Sequence, residues 1–98
     1  MKIQKERNGQ ELTVSLCGRL DTNTAPTLET ELQQSWTDIS ILILDLKELD
    51  YISSAGLRVI LAAQKQMLKQ GSMKLRNLND NVREVFEMTG FADIMSIE

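Results

Sequence analysis

Histidine is absent from the 98-residue sequence, and Cys17 is its single cysteine. Imidazole is the commonest general base and, together with thiolate, the commonest ligand of transition metals. The composition therefore gives no support to a metal centre or to histidine-based catalysis. One cysteine cannot form a disulfide within the chain, and we interpret Cys17 as a small apolar residue inside a strand. We expect no metal and no cofactor.

Long hydrophobic runs, basic clusters and aromatic residues are also scarce. No apolar stretch approaches the roughly 20 residues of a membrane span, and the opening residues MKIQKERNGQ lack the apolar core of a signal peptide. We therefore expect a cytoplasmic protein that does not insert into membranes. A net charge of -3 and a pI near 4.9 disfavour nucleic acid as a partner.

The length predicts a single domain spanning residues 1–98. A chain of this size buries one modest core but cannot build two lobes around a deep cleft. We therefore expect the function to lie on a surface that meets another protein. We also predict that the chain is not an enzyme.

Two kinds of apolar pattern predict strands. Alternation places Leu12, Val14 and Leu16 on one face of a strand, and the Asn8-Gly9 pair before them is typical of a tight hairpin. A continuous apolar run, SILILDL, is typical of a central strand. The predicted strands are residues 2–7, 11–18, 40–46 and 73–78, with half a helical turn and a short last strand in the tail FADIMSIE.

Apolar residues at helical spacing predict three helices. The first follows a cap-like cluster, Asp21 to Thr24, and has Pro26 in its first turn. The second covers residues 55–69 and ends at Gly71, and the third covers residues 79–90. The inward side chains expected on the three helices are Leu28, Leu32 and Trp36; Leu57, Ile60, Leu61, Met67 and Leu68; and Val82, Val85 and Phe86.

This order of elements requires both an antiparallel hairpin and parallel neighbours joined by crossover helices. The sequence therefore predicts an α/β fold, with a small mixed sheet of four to five strands and its helices mainly on one face.

The stretch LDYISSAGLRVIL places two serines, Ser53 and Ser54, where the second helix begins. Either hydroxyl could be an N-cap, which accepts a hydrogen bond from a first-turn amide. A hydroxyl at that position is also exposed, and a phosphate on it would meet free N–H groups and the positive end of the helix dipole. The pattern alone leaves both interpretations open.

Three acidic residues, Asp45, Glu48 and Asp50, precede the serines and are predicted to share a strand-to-helix loop. Two carboxylates can act as a general acid/base pair or bind a divalent cation. An ordinary solvated loop explains the same residues, and we favour it, because the sequence offers no base that could activate Ser54 as a nucleophile.

Together, LDYISSAGLRVIL, GRLDTNTAPTLE, ILILDLKEL and VREVFEMTGF resemble the bacterial STAS-domain proteins, specifically the single-domain anti-sigma factor antagonists. The similarity extends from about Val14 to Gly90. The resemblance implies a partner switch, in which the unphosphorylated protein binds an anti-sigma factor that is also a serine kinase and thereby releases a sigma factor. Phosphorylation ends the association, and a phosphoserine phosphatase restores it.

The resemblance also implies which residues act. Ser54 matches the family's phosphoacceptor, and Ser53, where many relatives have aspartate, is the runner-up. Asp21 matches the family's loop acid beside the partner surface. The implied partner-binding set is Asp21, Thr22, Ser53, Ser54, Ala55, Gly56, Leu57 and Arg58.

Two alternatives remain open from the sequence. The same fold serves as a constitutive STAS subunit that clamps the ATPase of an ABC-type lipid transport complex without any phosphate. Gly56 is explained equally by close approach of a partner and by tight packing within the domain.

Overall fold

A computed structural model describes residues 1–98 and contains one five-stranded sheet in the order β1-β2-β3-β4-β5. β1 is antiparallel to β2, and all other neighbouring strands are parallel. The predicted mixed α/β architecture is therefore confirmed, including the short strand in the tail. The elements are β1 (Lys2–Asn8), β2 (Glu11–Leu20), α1 (Ala25–Ser35), β3 (Ile41–Ile52), α2 (Ser54–Gln70), β4 (Ser72–Arg76), α3 (Asp80–Met88), a 3-10 turn (Phe91–Asp93) and β5 (Ser96–Ile97).

All three helices pack on the same face of this sheet. Apolar side chains from the strands and from α1, α2 and α3 form one continuous core on that face. The opposite face, which we call the open face, carries alternate strand residues that are mostly polar. Its central members are Thr13, Ser15, Ile43, Asp45, Lys74 and Arg76, which are matched across β2, β3 and β4. Apart from Ile43, which is buried on the open face, this one-sided burial follows from the period-two alternation of strand side chains.

The hairpin turn lies one residue later than predicted. Asn8 pairs with Glu11 in the ladder, so the loop consists of Gly9 and Gln10. Gly9 has a φ of 65°, which glycine adopts without steric cost. The Asn8-Gly9 signal thus located the hairpin correctly but not its two loop residues.

β3 is longer than predicted, because it continues past Leu46 to Ile52. The side chains of Leu46, Leu49 and Ile52 are all buried although they are spaced three residues apart. Two irregularities in the pairing with β2 explain this spacing. From Asp45 to Glu48, β3 advances three residues while β2 advances two, and from Leu49 to Tyr51 it advances two residues while β2 advances one. Each such bulge adds one residue to β3 and returns the next apolar side chain to the core.

The predicted acidic loop is therefore wrong. Asp45, Glu48 and Asp50 all belong to β3, where the bulges and the strand alternation hold them away from the core. Asp45 accepts hydrogen bonds from the Lys47 amide at 3.1 Å and from Asn77 Nδ2 at 3.2 Å. These bonds tie its carboxylate to the local structure.

Two further residues differ from expectation. Leu68 was predicted to face inward, but 69% of its surface is exposed, because the buried side of α2 runs instead through Val59, Ile60, Ala63 and Met67. Cys17 lies within a strand as predicted, but it is exposed on the open face beside Glu48. Alternation decides its side, since its neighbour Leu16 occupies the core.

Gly71 ends α2 as predicted, and close packing is the reason that a glycine is required there. A Cβ at this position would lie 1.8 Å from the carbonyl oxygen of Ser40, which accepts a hydrogen bond from the Ser72 amide at 2.9 Å. The missing side chain thus lets the chain pass directly from α2 into β4 alongside β3.

We predict that Gly71→Ala destabilises the protein by about 2 kcal/mol, the usual cost of forcing a methyl group into filled space. Urea denaturation followed by circular dichroism measures this loss. Gly90→Asn is the control, because no atom lies within 4 Å of a Cβ there and asparagine tolerates its positive φ. Equal stability of Gly71→Ala and the parent protein would contradict the prediction.

Candidate functional site

The candidate site begins where β3 passes into α2. Ser53 is extended, with φ -96° and ψ 174°, and its carbonyl oxygen accepts the first helical hydrogen bond from the Leu57 amide at 2.9 Å. Its hydroxyl oxygen also accepts from the Gly56 amide, at a long 3.4 Å. Ser53 is therefore the N-cap of α2. The structure thus shows which of the two serines caps the helix.

Ser54 is the first residue of α2 and is exposed to solvent. Its hydroxyl makes no hydrogen bond to the rest of the chain, and the neighbouring Ser53 supplies the cap of the helix. The amides of Ser54 and Ala55 belong to the first helical turn and have no intrahelical acceptor. Neither an acidic side chain in that turn nor a second cap competes for them.

A second loop, between β2 and α1, is organised by hydrogen bonds to Asp21. Its Oδ1 accepts hydrogen bonds from the amides of Asn23 at 3.0 Å and Thr24 at 3.2 Å. The Thr24 hydroxyl accepts from the Asp21 amide and donates to the carbonyl oxygen of Arg19, each at 2.8 Å. Removal from water disfavours the charged carboxylate, but these hydrogen bonds and the nearby Arg19 outweigh that effect and lower the pKa of Asp21 below its ordinary value.

Parallel pairing of β2 with β3 brings the two loops together. Leu20 and Ile52 end the paired strands side by side, and the Ser53 amide donates to the carbonyl oxygen of Leu20 at 2.8 Å. The segments that follow the two strands therefore leave the sheet at the same end. Asp21 and Ser54, which are distant in the sequence, thus belong to one surface.

The predicted partner-binding residues divide by burial. Thr22, Ser54 and Arg58 are exposed, whereas Asp21, Ser53 and Ala55 are partly exposed. Gly56 and Leu57 are both buried, and the side chain of Leu57 is part of the core, as helical spacing predicted and unlike the partner contact that the resemblance implied. The side chain of Leu57 therefore packs in the core and is not available for a contact with a partner.

The structure also decides between the two explanations of Gly56. A Cβ at this position would lie 2.6 Å from Cγ of Leu20 and 3.1 Å from Cγ1 of Ile52. The first turn of α2 therefore rests directly on the ends of β2 and β3. Internal packing accounts for this glycine, and it brings Ser54 close to the Asp21 loop.

Sequence reasoning missed Arg19 and Tyr51. The Arg19 guanidinium lies 4.3 Å from the centre of the Tyr51 ring, and its Nε is 3.8 Å from Oδ2 of Asp21. The side chain of Tyr51 is 42% exposed and lies at the edge of the candidate surface. The sequence does show an aromatic residue three positions before Ser54. Because the third strand was predicted to end at residue 46, its pairing of Tyr51 with Arg19 could not be predicted.

Two other features complete the description of the molecule. Its Cys, Asp and Glu side chains form no group of three that could hold a metal ion. No helix combines the length and the apolar character that crossing a bilayer requires.

Comparison with known proteins defines the class. The family model of the STAS domain matches residues 2–98, and the chain belongs to this family. BtrV of Bordetella bronchiseptica, whose name gives it as a candidate anti-sigma factor antagonist, is 41% identical over 99% of this chain and 85% of its own length. The anti-sigma-B factor antagonist of Bacillus subtilis is 32% identical over 99% of this chain and 90% of its own.

Solved structures show the same fold. The unphosphorylated form of the anti-sigma factor antagonist SpoIIAA matches 99% of this chain and 88% of its own length, with a TM-score of 0.82 and 20% identity. The phosphorylated form of SpoIIAA from Bacillus matches 99% of this chain and 91% of its own length, with a TM-score of 0.77 and 19% identity. The expected STAS fold is thereby confirmed.

Asp21 generates a prediction on pH dependence. A carboxyl group whose pKa is lowered by folding stabilises the protein above its unfolded pKa of about 3.9, and that contribution disappears as the pH falls through the lower folded pKa. We expect Asp21→Asn, which keeps an acceptor oxygen, to be less stable than the parent at pH 7, and we expect this difference to shrink as the pH falls below about 4. Urea denaturation at a series of pH values from 7 downwards measures the difference.

Asp21→Ala is the control, because it lacks the acceptor oxygen at every pH and is expected to be destabilised throughout. A constant gap between the parent protein and Asp21→Asn across this pH range would show that the charge plays no part in holding the loop.

Proposed function

We propose that this chain is an anti-sigma factor antagonist controlled by phosphorylation of Ser54. The unphosphorylated form binds an anti-sigma factor that is also a serine kinase, and this binding releases a sigma factor. The kinase transfers the γ-phosphoryl group of ATP to Oγ of Ser54, which loses its proton, and ADP leaves. A phosphoserine phosphatase hydrolyses the ester and restores the binding form. The protein acts in the cytoplasm as a regulator without catalysis of its own.

The exposed and unbonded hydroxyl of Ser54 carries this proposal. Because Ser53 supplies the cap, the fold does not depend on the Ser54 hydroxyl. A phosphate at this position adds a charge of about -1.5 to -2. At a helix N-terminus that charge meets free amides and the positive end of the dipole, so we expect the helix to tolerate it.

The effect of the phosphate is then exerted on docking. Ser54 shares one surface with Thr22, Asp21 and Arg58, and a partner that covers this surface must remove the phosphate from water or fail to approach. Desolvating an unpaired dianion is far more costly than desolvating a hydroxyl. Phosphorylation therefore opposes association without unfolding the domain.

The relatives support the function of an anti-sigma factor antagonist. Two similar proteins bear the name of anti-sigma factor antagonist, and SpoIIAA, which shares the fold, has been solved both with and without phosphate. Ser53 is the weaker candidate for the modification, because its hydroxyl oxygen already accepts the Gly56 amide.

We expect Ser54→Ala to abolish phosphorylation while it preserves binding, and Ser54→Asp to weaken binding at least about tenfold, since an unmatched charge within an interface costs several kcal/mol. The kinase is first identified by pull-down from the native cell. Mass spectrometry then locates the phosphate, and isothermal titration calorimetry measures the affinity of each variant.

Ser53→Ala is the matched control, and it should lose about 1 kcal/mol of stability with the cap but keep its phosphorylation at Ser54. A phosphate on any other residue would overturn the proposal. Recovery of a transport ATPase, together with an affinity that is indifferent to Ser54→Asp, would instead identify the constitutive subunit of a lipid transport complex.

A further inference from the structure

Arg58 lies one helical turn after Ser54 on α2. Both residues are exposed. Residues four apart on a helix are neighbours, with Cβ atoms about 5–6 Å apart. Helical side chains also lean toward the N-terminus, so the long side chain of Arg58 can reach back to the level of Ser54.

The guanidinium of Arg58 is available for a new partner. It makes neither an ion pair within 4.0 Å nor a hydrogen bond to another residue, whereas Arg19, the other arginine at this edge, is engaged by Tyr51 and Asp21. Glu29 on α1 lines the same groove as Arg58 and Ala55, but it forms no ion pair with Arg58. The first turn of α2 contributes no carboxylate.

We propose that a phosphate on Ser54 is bound by Arg58 of the same chain. This inference rests on the proposed function, and it adds a second component to the switch. The guanidinium fork fits two phosphate oxygens at once, and such charge-assisted hydrogen bonds are stronger than neutral ones. The free amides of Ser54 and Ala55 favour the same dianion from the end of the helix.

The pair changes the surface in two ways at once. In the unphosphorylated protein, Arg58 is a free cation that can meet an acidic group of the partner. In the phosphorylated protein, the guanidinium is occupied, and the oxygens that remain project negative charge from the same place. The partner thus loses an attractive contact and gains a repulsive one, which is a larger change than either alone.

The test uses protein in which phosphoserine is incorporated at position 54 during translation, so no kinase is required. The second ionisation of the phosphate, near pH 6, is followed by phosphorus-31 NMR at low salt. We expect its pKa to be about 0.3 units lower in the parent sequence than in Arg58→Gln, a shift that corresponds to a helical ion pair of this spacing. Arg58→Lys, which keeps the charge without the fork, should be intermediate.

Lys65→Gln is the matched control. It also removes one exposed positive charge from α2, but it lies eleven residues from Ser54, about 16 Å along the helix axis. The phosphate on residue 54 should have the same pKa in Lys65→Gln as in the parent. Equal pKa values in the parent and in Arg58→Gln would overturn the inference, and so would an equal shift in Lys65→Gln, since only general charge would then be acting.

The outcomes separate this inference from the function on which it rests. If the native kinase modifies another residue, the proposed function fails, whatever the titration of the incorporated phosphoserine shows. If the kinase modifies Ser54 but Arg58→Gln leaves the titration unchanged, the proposed function stands and the pairing fails. Circular dichroism of each variant establishes that it is folded before the titration.

Discussion

The parallel pairing of β2 with β3 is the constraint on which the candidate surface depends. Its last bond, from the Ser53 amide to the carbonyl oxygen of Leu20, ends the sheet at the point where α2 starts. Gly56 then allows the first turn of α2 to rest on Leu20 and Ile52. Without this contact, the loop that Asp21 organises and the helix that presents Ser54 would have no fixed relation to each other.

In the proposed switch, stability and regulation depend on different serines. The Ser53 hydroxyl caps α2, whereas the Ser54 hydroxyl makes no hydrogen bond to the rest of the chain. The proposed phosphate on Ser54 would therefore alter the surface without removing a bond that holds the fold. The same separation holds for the two arginines, because Arg19 is engaged within the loop region and Arg58 is left free.

Local patterns predicted most of the fold. The hairpin, the apolar run of β3, the three helices and the short last strand all have signals that depend on nearby residues, and each was located within a few positions. The length of β3 could not be predicted, since Leu46, Leu49 and Ile52 follow a three-residue spacing that regular alternation excludes. Only the pairing with β2 reveals the bulges, and with them the true setting of Asp45, Glu48, Asp50 and Tyr51. In the candidate site, capping chemistry predicted that one serine of the pair caps α2 but not which one, and helical spacing predicted the burial of Leu57.

The bulges of β3 also limit how the chain can change its length. Loss of one residue between Leu46 and Ile52 would either turn an apolar side chain to the open face or draw the start of α2 back along the strand. The number of residues in this stretch therefore determines where on the surface the hydroxyl of Ser54 lies. Substitutions can vary the chemistry of the surface, whereas insertions and deletions here would displace it.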